Sequence, residues 1–334
     1  MGAAEQLGAT HAVAAYQRRE PELSALYQTV LQHGETFLAE HTVPAFVARA
    51  FRRFLDCGQL PRGFLRVVCS ACKHESLVAF SCKDRGFCPS CTARRAAQTA
   101  AHLVDEVIPH VPVRQFVLAM PFDLHHRLAR DAELEGKVLA LFIDELQQHL
   151  REATDAADAA RTGTFCATQH FGSSIQLHVH FHVVALDGVY KQEADDSMTF
   201  SRAPAPTQEQ VEALVQRVAV RVRRLVGQPD PDIEPVLQAP ALKIFGAEPH
   251  EPTEPKLAAE YDGFNLHAGL ALEARERVAL ERLCRYILRG PLASGRLTEG
   301  PRRNLIYRLK SPKRDGTTHL VLSPLALLQR LILR

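Results

Sequence analysis

The chain has 334 residues, of which 46% are hydrophobic and 23% are charged, and its formal net charge is +2. This composition is typical of a globular protein and excludes extended disorder, and the length suffices for one large domain or two ordinary ones. A net charge so close to zero gives no evidence for or against a nucleic-acid partner.

The first 20 residues lack the basic start and apolar run of a secretory signal. No segment reaches the roughly 18 consecutive apolar residues that a membrane span requires. We therefore expect a cytoplasmic protein with no membrane partner. In a reducing compartment, clustered cysteines indicate metal binding rather than disulfides.

Hydrophobic periodicity predicts the elements in chain order. Helices are predicted at residues 22–31, 43–55, 94–107, 134–150, 208–225 and 273–289, with a last short helix from Ser323. Strands are predicted at 64–68, 113–120, 163–171, 175–186, 304–309 and 317–322, the last four as two hairpins. The prolines of residues 227–255 predict a loop. Runs of strands and helices with hairpin connections predict an α+β fold with an antiparallel sheet.

Six of the eight cysteines lie between residues 57 and 91. Cys69-x2-Cys72 and Cys88-x2-Cys91 are separated by 15 residues. This is the ligand spacing of a zinc ribbon, in which four thiolates complete a tetrahedral shell. We therefore predict a structural Zn²⁺ site at these four cysteines.

Other residues of this segment are open to more than one interpretation. Cys57, Cys82 and His74 could replace a ligand, extend the site or be buried without a metal. Basic side chains surround the cluster, and Arg94 and Arg95 begin the helix that follows it. They are suited to contact phosphates, although a solvated basic surface around a purely structural zinc would have the same sequence.

Three histidines alternate with apolar residues in the string LHVHFHV at residues 177–183. On a strand, His178, His180 and His182 would share one face while the apolar residues pack on the other. Two such imidazoles can chelate one divalent ion, and Mg²⁺ or Mn²⁺ held there would suit the polarisation of a phosphate oxygen. The alternative is a strand whose outer face carries histidines without a metal.

One tyrosine lies on the flank of an amphipathic helix. The apolar stripe of that helix consists of Leu280, Leu283, Cys284 and Ile287. Tyr286 lies beside the stripe, and Arg282 and Arg289 fall on its side of the helix. Guanidinium groups favour the phenolate and also hold phosphate, so Tyr286 is a candidate nucleophile. The alternative is a half-buried tyrosine at the helix edge.

The chain resembles, over nearly its whole length, the rolling-circle transposases of the insertion sequence 91 family, which are HUH nucleases. The resemblance is carried by LDCG at 55–58, FSCKDRGFCPSC at 80–91, VRQFV at 113–117, HVHFH at 178–182, LDGV at 186–189, FNLHA at 264–268, LCRY at 283–286 and DGTTH at 315–319. It implies N-terminal helices and a zinc-binding ribbon domain over residues 1–110. It implies an HUH-type tyrosine nuclease, with an antiparallel sheet flanked by helices, over 111–334.

The resemblance also implies a site and a reaction. His180 and His182 would hold a catalytic Mg²⁺ or Mn²⁺, with His178 as a candidate third ligand, and Tyr286 would be the nucleophile. The phenol would attack single-stranded DNA at transposon ends and target, leaving a 5′-phosphotyrosine that a later hydroxyl attack resolves. Arg282, Arg289, Arg94 and Arg95 are the expected DNA contacts. The setting implied is the bacterial cytoplasm, at the nucleoid.

Two departures from the family pattern keep other interpretations open. Members with two tyrosines place the second four residues after the first, where this chain has Gly290. Members also usually continue beyond a segment like residues 322–331, which suggests a truncated copy. The alternatives are a non-catalytic zinc-ribbon relic that binds DNA, and a rolling-circle replication initiator or relaxase.

Overall fold

The computed structural model describes residues 19–84, 86–227, 241–247, 257–293 and 295–332. The helices are α1 Ala25–Glu40, α2 Ala45–Asp56, α3 Pro89–His102, α4 Phe122–Arg130, α5 Ala132–Ala153, α6 Gln208–Val226, α7 Arg277–Ile287 and α8 Pro324–Ile332. The strands are β1 Phe64–Val68, β2 Glu75–Ala79, β3 Val113–Ala119, β4 Thr164–Phe171, β5 Leu177–Leu186, β6 Gly188–Gln192, β7 Met198–Arg202, β8 Leu242–Phe245, β9 Ala258–Tyr261, β10 Phe264–Leu272, β11 Leu297–Glu299, β12 Leu305–Arg308 and β13 Thr317–Leu322. The predicted α+β class is confirmed.

A five-stranded antiparallel sheet with the order β4-β5-β3-β10-β9 forms the centre of the fold. One face of β5 is fully buried through Val179, Phe181 and Val183. These side chains share a core with α5 and α6, for example with Phe142 and Leu214. Because side chains alternate along a strand, the opposite face of β5 carries the three histidines, as predicted.

A buried ion pair fastens this sheet. Arg114 on β3 donates from Nε and Nη2 to the two carboxylate oxygens of Asp187, over 2.9 and 3.1 Å. Its Nη1 donates to the carbonyl oxygen of Ala268 on β10, over 3.1 Å. Both charged side chains are almost fully buried, so the bidentate geometry offsets their loss of hydration.

A second core joins the two ends of the chain. Phe37 and Phe51 of α1 and α2 share it with Tyr307 of β12 and Leu327 of α8. The sheet with the order β11-β12-β13-β8 lies in this part of the fold. Residues from both predicted domains therefore contribute to one core, and the division at residue 110 stays a prediction.

Several elements differ from the sequence-based expectations. The helix α4, the strands β2, β9, β10 and β11 and the hairpin β6–β7 were not predicted. Each of these elements has only three to nine residues, which weakens the hydrophobic period that a prediction uses. Within the predicted loop 227–255, residues 242–245 form β8, while 228–240 and 248–256 lie outside the described residues.

Among the described residues, no helix combines the length and the apolar character needed to cross a bilayer.

Candidate active site and metal centre

Four buried cysteines converge at the start of α3. Cys57 follows α2, Cys82 follows β2, and Cys88 and Cys91 lie at the first turn of α3. Among the described residues, they are the one group of three or more His, Cys, Asp or Glu side chains whose ligand atoms lie within 4.8 Å of one another.

The sulfur positions fit a tetrahedral zinc ion. The Sγ atom of Cys57 lies 3.9 Å from that of Cys88 and 3.6 Å from that of Cys91, and Cys82 Sγ lies 3.4 Å from Cys91 Sγ. With Zn–S bonds of about 2.3 Å, tetrahedral sulfurs lie roughly 3.8 Å apart. Hydrogen bonds with Cys82 and Cys88, the former the larger, lower the pKa of Cys57 to about 6, and the contacts within the cluster also lower the pKa of Cys91 but raise those of Cys82 and Cys88.

The prediction that Cys69 and Cys72 complete this shell is corrected. Both are exposed, at the turn between β1 and β2, and neither belongs to the buried group. Cys57 and Cys82, left unassigned from the sequence, take their places. Ligand spacing describes only neighbours along the chain, whereas Cys57 reaches the site because the β1–β2 hairpin returns the chain to the end of α2.

Three phenylalanines support the cysteine cluster. Phe87 packs against Phe51 and Phe54 of α2, with ring centroids 5.0 and 5.2 Å apart. The backbone N–H of Cys82 donates to Cys57 Sγ over 3.3 Å. The cluster thus fastens α2 to α3 inside the core that includes the C-terminal strands.

The histidine face of β5 forms a row of rings. Ring centroids of His178 and His180 are 5.1 Å apart, and those of His180 and His182 are 4.9 Å apart. At the far end, the ring of His125 on α4 lies 5.0 Å from that of His178. Burial lowers the pKa of His180 to about 3 and that of His182 to about 4. Both are therefore neutral near pH 7, in the form that binds a metal ion.

Two glutamines on this face were not singled out from the sequence. The amide of Gln115 on β3 lies 2.9 Å from Nδ1 of His182, whose buried Nε2 has no described partner. Gln169 on β4 pairs in register with His180, so both side chains share a face. Its Nε2 donates to the carbonyl oxygen of Ile287 over 2.7 Å, and its buried Oε1 has no described partner. The sequence pattern could have identified both glutamines, because alternation along β3 and β4 places them on the same face of the sheet as the histidines.

Tyr286 extends the row of rings. Its centroid lies 6.1 Å from that of His182, with the rings nearly perpendicular. The guanidinium carbon of Arg289 lies 4.6 Å from the Tyr286 centroid, and the ammonium nitrogen of Lys310 lies 4.4 Å from it. The tyrosine is 38% exposed. Lys310 was missed because its approach depends on how the C-terminal sheet packs.

Two family models match the chain. Residues 29–120 match the model described as transposase zinc-binding domain, and residues 163–334 match the model described as putative transposase. The chain belongs to the insertion sequence 91 family of transposases. No curated protein and no solved structure shows a significant match to it.

A cavity of about 810 Å³ in this transposase opens between the zinc-binding helix α3 and the central sheet. Arg95 of α3 and Arg289 both line it, together with His170, whose Nε2 lies 2.5 Å from the carboxylate of Glu135. The fold therefore brings together two of the four arginines predicted to contact DNA. Arg94 and Arg282 are exposed on α3 and α7, and their DNA contacts stay predictions.

Gly290 lies where the transposase packs against its own zinc module. A Cβ atom at this position would lie 3.2 Å from Cγ2 of Thr92 and 3.3 Å from the carbonyl oxygen of Gly86. A side chain at this position would require α3 or the loop before it to move by a few tenths of an ångström. Glycine avoids this crowding.

Proposed function

We propose that this transposase nicks and rejoins single-stranded DNA through a covalent bond between Tyr286 and a 5′-phosphate. The single observation that carries the proposal is the position of Tyr286, which contacts the histidine row and lies under two cations, Arg289 and Lys310. The two cations beside Tyr286 would attract the phosphate that its hydroxyl would attack.

The reaction is a transesterification. The phenolic oxygen of Tyr286 attacks phosphorus, the bond from phosphorus to the 3′-oxygen breaks, and that oxygen leaves as a hydroxyl after gaining a proton. The 5′-phosphate stays on Tyr286 until a 3′-hydroxyl attacks it and releases the phenol. Arg289 and Lys310 stabilise the charge that develops on the phosphate oxygens.

Nitrogen and oxygen ligands for a divalent cation are available beside the tyrosine. Nδ1 of His180 lies 3.0 Å from the carbonyl oxygen of His178, so Nδ1 carries the proton and Nε2 keeps its lone pair. His182 can bind a metal through Nε2 only when its proton is on Nδ1. The amide oxygen of Gln115 must then accept a hydrogen bond from Nδ1, and a rotation of the amide group brings that oxygen into place. A bound Mg²⁺ or Mn²⁺ would supply polarisation of the scissile phosphate.

We assign the third ligand to Gln169 rather than to His178. Oε1 of Gln169 is buried beside His180 with no described partner, whereas Nδ1 of His178 lies 3.2 Å from Nδ1 of His180, the nitrogen to which we assign the proton. Amide oxygen is also a ligand that suits Mg²⁺ and Mn²⁺. The hydrogen bond from Gln169 to Ile287 would then join the metal site to the end of the tyrosine helix.

Manganese binding tests the ligand set without any need for activity. We would titrate the zinc-loaded protein with Mn²⁺ and follow free Mn²⁺ by electron paramagnetic resonance. His180→Ala, His182→Ala and Gln169→Ala should each weaken binding at least tenfold, while His178→Ala and the exposed control His110→Ala should not. Weakening by His178→Ala but not by Gln169→Ala would restore His178 as the third ligand.

Covalent adduct formation tests the function. Single-stranded oligonucleotides from the flanks of the gene are labelled at either end, incubated with the transposase and Mn²⁺, and separated on a denaturing gel. The 3′ label should move with the protein, since the 5′-phosphate side of the nick stays bound, and the 5′ label should appear on a free fragment. Tyr286→Phe should abolish the adduct, whereas Tyr261→Phe, at a similarly exposed tyrosine, should not.

The alternatives predict other results. A DNA-binding relic would bind the oligonucleotides and fold normally, yet give no adduct with either label. Transfer of the 5′ label to the protein would mean a 3′-phosphotyrosine and contradict the mechanism.

A further inference from the structure

The tip of the β1–β2 hairpin holds two exposed thiols in a defined arrangement. The backbone N–H of Cys69 donates to the carbonyl oxygen of His74 over 2.9 Å, and the N–H of Lys73 donates to that of Cys69 over 3.0 Å. Hydrogen bonds to Cys69 Sγ, first from the backbone N–H of Cys72 and also from that of Ala71, lower the pKa of Cys69. Backbone N–H groups directed at a cysteine sulfur stabilise its thiolate, which is the form that binds metal.

This pair has half of the ligands of a tetrahedral thiolate site. The buried cluster already has four sulfurs from other cysteines. No further His, Cys, Asp or Glu among the described residues brings a ligand atom close enough to form a group of three with Cys69 and Cys72. Two exposed thiols with restrained geometry can therefore reach four ligands by meeting a second identical pair.

The β1–β2 hairpin below the thiols exposes apolar side chains that a larger sheet or a packed partner would cover. Within the described part of the chain, its strands β1 and β2 pair only with each other. Six apolar side chains on and beside them are exposed, namely Phe64, Leu65, Val67, Val68, Leu77 and Phe80. A two-stranded hairpin is marginally stable in water, and further strands or a packed face stabilise it.

We propose that Cys69 and Cys72 bind a second zinc ion together with the same two cysteines of another copy of this chain. With a twofold axis through the metal, each chain contributes two sulfur ligands to a four-coordinate site, and the two apolar hairpins come together. The proposal is independent of the nuclease mechanism, because the hairpin contains none of the residues assigned to the tyrosine site.

Charge around the tip fits this arrangement. A zinc ion with four thiolates carries a net charge of −2. Lys73 lies between the two thiols and His74 in sequence, is exposed, and adopts a left-handed conformation at φ 61°. Two copies of Lys73 would balance the charge of the site.

Metal content and molecular mass together test the proposal. The full chain is loaded with Zn²⁺ under a thiol-free reductant, freed of excess metal, and measured by mass spectrometry for zinc and by light scattering for mass. We expect a dimer with three zinc ions per two chains. The double variant Cys69→Ser, Cys72→Ser should be a monomer with one zinc ion per chain and an unchanged circular dichroism spectrum.

Each other outcome overturns the proposal. A monomer with one zinc ion per chain would mean that the pair binds no metal, and a monomer with two would mean that one chain completes the site. A dimer that persists in the double variant would mean that the hairpins associate without a bridging metal. Tyr286→Phe should form the same zinc-dependent dimer, so failure here and failure of the nuclease mechanism are separable.

Discussion

The side-chain amide of Gln115 determines which ring nitrogen of His182 carries the proton. It is the described partner of Nδ1, and His182 is only 5% exposed. Replacing Gln115 by leucine would remove this partner while keeping the volume. We expect Gln115→Leu to weaken Mn²⁺ binding about 10- to 100-fold, as partners of metal-binding histidines do.

Two further variants sharpen this prediction. Gln115→Glu accepts a hydrogen bond from Nδ1 and should keep most of the affinity, whereas Gln98→Leu, on the exposed side of α3, should change nothing. Equal Mn²⁺ affinity in Gln115→Leu and the unmodified protein would show that Gln115 does not orient His182.

Gly290 gives a prediction about stability. Because Thr92 and the backbone of Gly86 lie within 3.3 Å of a Cβ atom there, Gly290→Tyr should lower the free energy of unfolding by about 1–3 kcal/mol through overpacking. Gly290→Ala should cost less, since neighbours need move only a few tenths of an ångström. Urea denaturation measures both, and a Gly290→Tyr protein of undiminished stability would contradict the contact with α3.

The sequence predicted the placement of individual side chains correctly where the pattern involved only residues close together in the chain. Alternation along β5 placed the three histidines on one face, because the period of a strand is independent of the fold. The cysteine ligands could not be found in the same way. Two CxxC pairs are suited to zinc, but only the path of the chain decides that Cys57 and Cys82, and not Cys69 and Cys72, meet Cys88 and Cys91.

Helix α7, which carries Tyr286, is held at both ends and along one side. At its start, Arg277 donates to the carbonyl oxygens of Val104, Ile108 and Pro109 in the segment after α3. At its end, Ile287 accepts from Gln169. Between them, its apolar stripe packs against α3 residues such as Ala100. The tyrosine is therefore positioned by the sheet and the zinc-binding helix together.

Arg277 should be a positioning residue. Arg277→Ala leaves three carbonyl groups without this donor, so we expect a loss of about 1–3 kcal/mol in stability. We also expect slower adduct formation with unchanged Mn²⁺ affinity, because the histidine face is untouched. The exposed Arg275→Ala serves as the control. A variant with lower stability but a normal adduct rate would limit Arg277 to a structural role.

The amphipathic pattern of α7 predicted its buried stripe, and Leu280, Leu283, Cys284 and Ile287 are all buried. The partner of that stripe could not be predicted, since periodicity tells which face is covered and not what covers it. The same limit applies to Lys310, which follows β12 and lies 4.4 Å from the centre of the Tyr286 ring on α7.

Zinc should stabilise the whole molecule rather than its N-terminal part alone. The cysteine cluster shares its core with β12, β13 and α8, so loss of the metal should loosen the C-terminal sheet as well. Cys82→Ser should lose the buried zinc ion and unfold at a lower temperature, in a single transition monitored by calorimetry. Cys69→Ser should keep the buried zinc ion. If Cys69→Ser lost that ion instead, the ligand set from the structure would be wrong.

The core shared by the two chain ends also bears on how the protein is made. Phe37, Phe51 and Phe54 emerge from the ribosome long before Tyr307, Leu320 and Leu327, which cover the same core. Until residues 307–327 have been synthesised, the aromatic side chains of Phe37, Phe51 and Phe54 lack these core partners and can aggregate. Binding of zinc by Cys57, Cys82, Cys88 and Cys91 would allow the growing chain to form a compact intermediate before the C-terminal core residues are synthesised.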